Sequence, residues 1–138
     1  MEFNVKCTVA ACLPFLMLIA GCGQSPSGPV RFTVSGNITY NGSPVPAGTI
    51  LFEPDSEKGN SGPGGSGTIE NGRFETFPGK GVVGGPYIVR IRGFTGEATS
   101  EDGEVSAIGN PLFPVYVTRV DFAKQNVQMD FDIPAQSN

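Results

Sequence analysis

Apolar residues recur at every second position over several short stretches of this chain, the period of extended backbone with one buried face. Phe32, Val34, Ile38 and Tyr40 alternate with Thr33, Ser35, Asn37 and Thr39, which predicts a half-buried strand. Gly36 interrupts it as a bulge or a close approach of another backbone. Asn41-Gly42 is a tight-turn signal. Residues 43–48 form a turn-rich link whose two prolines limit ladder bonding. Residues 49–53 predict a second strand, ended by Pro54. Residues 66–70 and 73–76 predict two short strands joined by the two-residue turn Asn71-Gly72. Residues 86–94 predict a long strand with Tyr87, Val89 and Ile91 on one face and Arg90 and Arg92 on the other. The cleanest alternation lies at 126–133: Val127, Met129, Phe131 and Ile133 are separated by Gln128, Asp130 and Asp132.

Between these runs the chain is polar and rich in Gly and Pro. Residues 55–65 read as a mobile surface loop, residues 78–85 as a second loop, and residues 96–110 as an acidic insertion. Residues 112–120 read as an irregular edge segment containing Pro114, and residues 112–117 are the candidate edge for pairing. No helical period competes with the strands. The pattern predicts an all-β fold of about seven strands, for which a sandwich of two packed sheets is the economical arrangement.

The first residues follow a different pattern. An almost continuous apolar run from Thr8 to Gly21 is shorter than the ~20 residues a spanning helix needs, and Pro14 interrupts it. The run closes on Ile19-Ala20-Gly21-Cys22, which resembles the lipobox of bacterial lipoproteins. That resemblance implies a cleaved signal peptide at 1–21 and a lipid-modified Cys22 as the mature N-terminus. It also implies a protein anchored to the membrane of the bacterial cell envelope and not spanning it. Gly23 rather than Asp after the cysteine favours the outer membrane, on the periplasmic or the surface side. Residues 22–31 are then the lipidated cysteine and a flexible tether, residues 32–134 the β domain and residues 135–138 a tail.

Composition narrows the chemistry. The chain has 138 residues and a formal net charge of −4. Lys6 and Glu2 leave together with the leader, so the balance persists in the mature chain. No basic patch stands out in the sequence, which argues against nucleic-acid binding. Cys7 and Cys12 also leave with the leader and Cys22 is taken by lipid, so no disulfide is expected. There is no histidine and no tryptophan. Ser-His-Asp and Cys-His catalysis, and a zinc site of the usual His/Cys type, cannot be assembled. The expectation is a structural or interaction module that is not an enzyme and has no cofactor, with the membrane as its partner through the lipid anchor and an envelope protein as a candidate second partner.

Two ligand alternatives arise from side chains. Glu97, Glu101, Asp102 and Glu104 crowd one loop and carry oxygens suited to Ca²⁺, without the EF-hand spacing. Tyr40, Tyr87 and Tyr116 are candidate sugar-stacking aromatics, although Tyr40 and Tyr87 fall on the core-facing sides of their strands. The alternative function is therefore a ligand-binding module for glycan or calcium at the envelope.

Three blocks carry a second resemblance. They are residues 34–54 with the Asn41-Gly42 turn and Pro44, Pro46 and Pro54; Gly67-Thr68-Ile69-Glu70-Asn71-Gly72-Arg73-Phe74; and Gly85-Pro86-Tyr87-Ile88-Val89-Arg90-Ile91. Together they resemble the carboxypeptidase regulatory-like domain, a transthyretin-like (prealbumin-like) β-sandwich. With the Leu112-Phe113-Pro114 segment and the Asp130-Phe131-Asp132-Ile133-Pro134 ending, the layout is similar to small lipoproteins abundant in planctomycetes. The resemblance implies an accessory or adhesion-like module. The enzyme of this fold class, hydroxyisourate hydrolase, requires histidines that this chain lacks.

Overall fold

The structure is a computed structural model and describes residues 28–135. The leader 1–21, Cys22 and the first part of the tether lie outside the described residues.

The described chain is all-β. Its strands are β1 (Val34–Tyr40), β2 (Ser43–Pro44), β3 (Ala47–Pro54), β4 (Gly65–Glu70), β5 (Arg73–Thr76), β6 (Gly85–Phe94), β7 (Thr99–Glu101), β8 (Glu104–Ser106), β9 (Tyr116–Phe122), β10 (Val127–Gln128) and β11 (Phe131–Ile133). Nine of them form one curled sheet whose main path runs β10-β1-β5-β4-β3-β6-β9, with β2 and β11 also paired to β1. The β7–β8 hairpin stands apart. The seven expected strands are all present. The four extra elements are β2, the β7–β8 pair and the division of the last predicted strand into β10 and β11.

That division has a local cause. β1 pairs in parallel with β10 through Val34 and Ser35 and with β11 through Ile38, Thr39 and Tyr40. Between the two, Asp130 replaces the ladder. Its Oδ1 accepts the Asn37 backbone N–H at 2.8 Å and the Asn37 side-chain amide at 3.0 Å. Gly36 is the close approach expected from sequence: a Cβ there would lie 1.9 Å from the Met129 carbonyl oxygen. Only a residue without a side chain lets the two backbones meet.

Three two-residue hairpin turns share one chemistry. Asn41, Asn71 and Asp102 each take φ of 49°, followed by Gly42, Gly72 and Gly103 at positive φ. This is the pattern of type I′ turns, whose twist matches that of the flanking strands. The third turn lies inside the segment expected to be an acidic loop, which instead forms the β7–β8 hairpin.

The core lies inside the curl. Val34, Ile38, Ile50, Phe52, Ile69, Phe74, Tyr87, Val89 and Ile91 are buried, each at an inward position of an alternating strand. Aromatic rings link distant strands: Phe74 meets Phe131 with centroids 5.8 Å apart, and Phe122 meets both Phe52 and Tyr87 at 5.7 Å. The segment before β9 also contributes. Phe113 turns into the core against Tyr40, ring centroids 4.9 Å apart, and its ring fills the space a side chain at Gly93 would need. The expected irregular edge at 112–120 is thus two things, a core-seeking turn around Phe113 and a regular strand beginning at Tyr116.

The loops differ from expectation in the same way. Val82 in the loop after β5 is fully buried and bridges Phe32. The loop after β3, expected to be a mobile surface loop, holds a short 3₁₀ turn (Ser56–Lys58) and the buried side chains of Asp55 and Asn60.

Candidate functional site

β9 closes one end of the sheet path. It pairs with β6 from Tyr116 to Phe122, and among the described residues no strand pairs with its other side. Alternate backbone N–H and C=O groups of such a strand face outward, available to an added strand. The expected edge is therefore present, shifted toward the C-terminus. Pro114 precedes β9 and does not interrupt its pairing.

The outer face beside this edge is built by register. Leu51 of β3, Arg90 of β6 and Val117 of β9 lie in one row, and Glu53, Ile88 and Arg119 in the next. Inward positions of these strands carry the core, so their neighbours must point to solvent. Leu51 is 43 % exposed, Val117 48 % and Val115, just before β9, 43 %. The Arg90 guanidinium turns aside to Glu53, Nε to Oε2 at 2.9 Å. The result is an outer face on which the exposed aliphatic side chains Val115 and Val117 lie along the open edge and Leu51 lies two strands in, with Arg90 between them and paired to Glu53.

Asp55 locks this edge to the neighbouring loop. Its side chain is 1 % exposed, and Oδ2 accepts from Arg119 Nε at 3.2 Å. Its carbonyl oxygen accepts the N–H groups of Lys58 and Asn60, while its own N–H donates to the Pro86 carbonyl. Asn60 adds a second tie, donating from Nδ2 to Pro86 at 2.8 Å and accepting the Gly62 N–H. Asp55 Oδ1 is buried without a hydrogen-bond partner. A cavity of about 430 Å³ opens beside Asp55, Lys58, Arg119 and Asp121. Sequence reasoning misses this cluster. The available signal is an acid placed directly after a strand-ending proline and before Ser56, a position suited to starting a helical turn.

A second concavity, an open polar groove of about 850 Å³, lies over β1, β4 and β5 between Asn37, Thr68, Glu70, Arg73, Glu75 and Gln128. The three tyrosines expected as sugar-stacking candidates do not line it. Tyr87 is fully buried; its hydroxyl donates to the Pro63 carbonyl and accepts the Val83 N–H. Tyr40 stacks on Phe113, and Tyr116 packs at the fringe of the core.

Glu97, Glu101, Asp102 and Glu104 are exposed around the β7–β8 hairpin, where Glu101 and Glu104 face each other across the strands. Among the described residues, no three carboxylate, thiol or imidazole side chains are grouped to hold a metal ion. No helix among them is long and apolar enough to cross a membrane. Cys22, the expected lipidation site, lies outside the described residues. No protein-family model and no curated protein matches this chain.

Proposed function

We propose that this chain is a non-catalytic lipoprotein of the bacterial cell envelope, anchored through Cys22, whose β domain serves as a structural or interaction module. The observation that carries the reading is the open β9 edge with the exposed aliphatic side chains Val115 and Val117 along it and Leu51 on the same face. A seven-residue strand paired on one side only, beside exposed aliphatic side chains, suits β-augmentation, in which backbone bonds give affinity and flanking pockets give selectivity. The module is proposed to be a transthyretin-like sandwich, the two halves of the curled sheet acting as its layers. The sequence lacks histidine and, once Cys22 is acylated, a thiol nucleophile, which supports a binding role over a hydrolytic one.

The test is site-specific photo-crosslinking in intact cells. A photoreactive residue replacing Val117 is expected to trap one discrete envelope protein. The same residue at Thr68, in the groove over β1, β4 and β5, is expected to trap none. Intact-mass analysis of the membrane-purified protein checks the anchor: residues 1–21 are expected to be absent and a lipid mass present on Cys22. Equal trapping at both positions, together with a measurable turnover, would replace this reading with an enzymatic one.

The ligand-binding alternative draws on the polar groove between β1, β4 and β5. A glycan seated there would raise Tm, and go on raising it with the logarithm of its concentration above Kd, because it binds only the folded state.

A further inference from the structure

The charged residues of the described chain are unevenly placed along the strands. Lys58 lies in the loop after β3, Lys80 in the loop after β5 and Lys124 just after β9, and all three are exposed. The pairings bring these loops to one end of the domain. Ser66 N–H donates to the Lys80 carbonyl, Asp55 N–H donates to Pro86, and Lys124 packs so closely on Gly84 that a Cβ there would meet its Cγ at 2.6 Å. No lysine takes part in an ion pair among the described residues; the pairs found belong to Arg90 and Arg119.

The N-terminal segment leaves the domain at this same end. Arg31 donates from Nη1 to the carbonyls of Gly64 and Gly81, at 2.9 and 3.1 Å, and Phe32 bridges Val82. The chain that leads back toward Cys22 therefore starts beside Lys80. The acids at this end are Asp55, which is buried on Arg119, Glu57, which lies 3.8 Å from Arg119, Glu53, which pairs with Arg90, Glu75 opposite Ser35, and Asp121 opposite Pro86; Asp55, Glu57 and Glu53 are thus matched by arginines.

The opposite end is acidic. β6 runs from Gly85 near the lysines to Phe94, a length of about 33 Å at 3.3 Å per residue. Beyond it the chain enters the β7–β8 hairpin with Glu97, Glu101, Asp102 and Glu104. Asp132 and Glu70 lie toward that end too, beside the Asn41-Gly42 and Asn71-Gly72 turns, together with two arginines, Arg73 opposite Glu70 and Arg92 near the end of β6, so the acids outnumber the bases there six to two.

We infer that the lysine-bearing end is a docking surface for an anionic lipid bilayer, with Lys58, Lys80 and Lys124 against the headgroups and the acidic hairpin held away from them. This rests on the anchored-lipoprotein reading for the tether and on the geometry alone for the charge. A chain of net charge −4 is repelled by an anionic surface in most orientations. Screening over about 8 Å lets the bilayer feel the near end and not the hairpin, so the lysine-first orientation is the one favoured. Each lysine at such a surface is worth about a fivefold gain in partition, so three give roughly a hundredfold. The tether sharpens the effect. From Cys22 to Arg31 the backbone spans at most about 30 Å, which keeps this end within reach of the headgroups at high effective concentration.

The experiment uses the acylated protein in vesicles, with a fluorophore on Ser61→Cys at the lysine end or on Ser100→Cys in the hairpin. Quenchers are attached to the lipid headgroups. The Ser61 probe is expected to be quenched in phosphatidylglycerol vesicles at low salt, and released by high salt, by pure phosphatidylcholine or by the K58E/K80E/K124E variant. The Ser100 probe is expected to stay unquenched throughout. Equal quenching of both probes, or an unchanged signal in the charge-reversed variant, overturns the inference. Flotation of the Cys22→Ala protein with the same vesicles separates the two readings. Retention on phosphatidylglycerol at low salt, reduced by more than about a hundredfold in the triple reversal because each Lys→Glu change removes one attractive charge and adds a repulsive one, supports the lysine surface even if mass analysis finds no lipid on Cys22. Failure to float at low salt overturns it even if Cys22 is acylated.

Discussion

Arg119 of the edge strand donates from Nε to Oδ2 of Asp55, 3.2 Å away and 64 positions earlier in the chain. The two ends of this bond are unequal. The arginine side chain is 57 % exposed, while the aspartate is 1 % exposed and its second oxygen has no partner. Losing the exposed member should therefore hurt, because it leaves a carboxylate buried with no partner at all. Arg119→Ala is expected to cost about 1–3 kcal/mol in denaturant unfolding. Asp55→Asn keeps the volume and an acceptor, and is expected to cost less than Arg119→Ala. The reverse order would show that the bond does not hold the loop to β9.

Gly36 and Met129 make a second steric prediction. A Cβ at position 36 would fall 1.9 Å from the Met129 carbonyl oxygen and 2.6 Å from its carbon, both backbone atoms that cannot rotate away. Gly36→Ala is expected to push β10 and β11 off β1 and cost about 3 kcal/mol, a fall in Tm of at least ~10 °C. Gly28→Ala, where a Cβ meets nothing within 4 Å, is the control and should leave Tm unchanged. Equal melting temperatures for the two variants would contradict the close approach.

Gly93 and Phe113 should be energetically coupled. A Cβ on Gly93 would lie 2.6 Å from two ring carbons of Phe113 and 2.9 Å from Val45. Gly93→Ala and Phe113→Leu are each expected to destabilise the domain. In the double variant the smaller side chain makes room, so the combined loss should be smaller than the sum of the single losses by about 0.5–3 kcal/mol. Strict additivity in a double-mutant cycle would mean that the ring moves aside without cost.

The β7–β8 hairpin carries Glu101 directly opposite Glu104, a like-charge pair across an antiparallel ladder. Such a pair is unfavourable, and an opposite-charge pair contributes about 0.2–1 kcal/mol. Glu101→Lys is expected to slow amide hydrogen exchange at Glu104 and Ser106, whose N–H groups belong to the hydrogen-bonded pairs of the ladder, and added salt should narrow the difference from the parent protein. Faster exchange in the variant would mean that the acidic tip is held by something other than its strand pairing.

Val117 separates folding from recognition. Its side chain stands outward on β9, so Val117→Lys should change stability by no more than about 0.5 kcal/mol. A lysine on an open edge discourages strand addition, so crosslinking from neighbouring Val115 should fall sharply. Undiminished crosslinking would move the interaction surface away from β9.

Much of the fold is legible in the chain because burial on one side of a strand writes itself as a period of two. The inward set Tyr87, Val89 and Ile91 and the turns Asn41-Gly42 and Asn71-Gly72 are readable for that reason. The Asp102-Gly103 turn carries the same signal, but its hairpin has exposed flanks and so no apolar alternation to mark it. The last strand reads as continuous because the alternation from Val127 to Ile133 is unbroken. Its interruption depends on Asp130 reaching a backbone N–H on another strand, which no local pattern records.

The all-β class, the strand faces and the turns were set by sequence alone, because each follows from side chains within a few positions of one another. So was the chemistry that is lacking, since a residue type absent from the chain cannot be supplied by folding. Folding in three dimensions was needed to join Asp55 to Arg119, to leave β9 with an open side, and to gather Lys58, Lys80 and Lys124 where the N-terminal segment leaves the domain. Those relationships arise from strand order and register, which bring together residues dozens of positions apart, and spacing along the chain holds no measure of that distance.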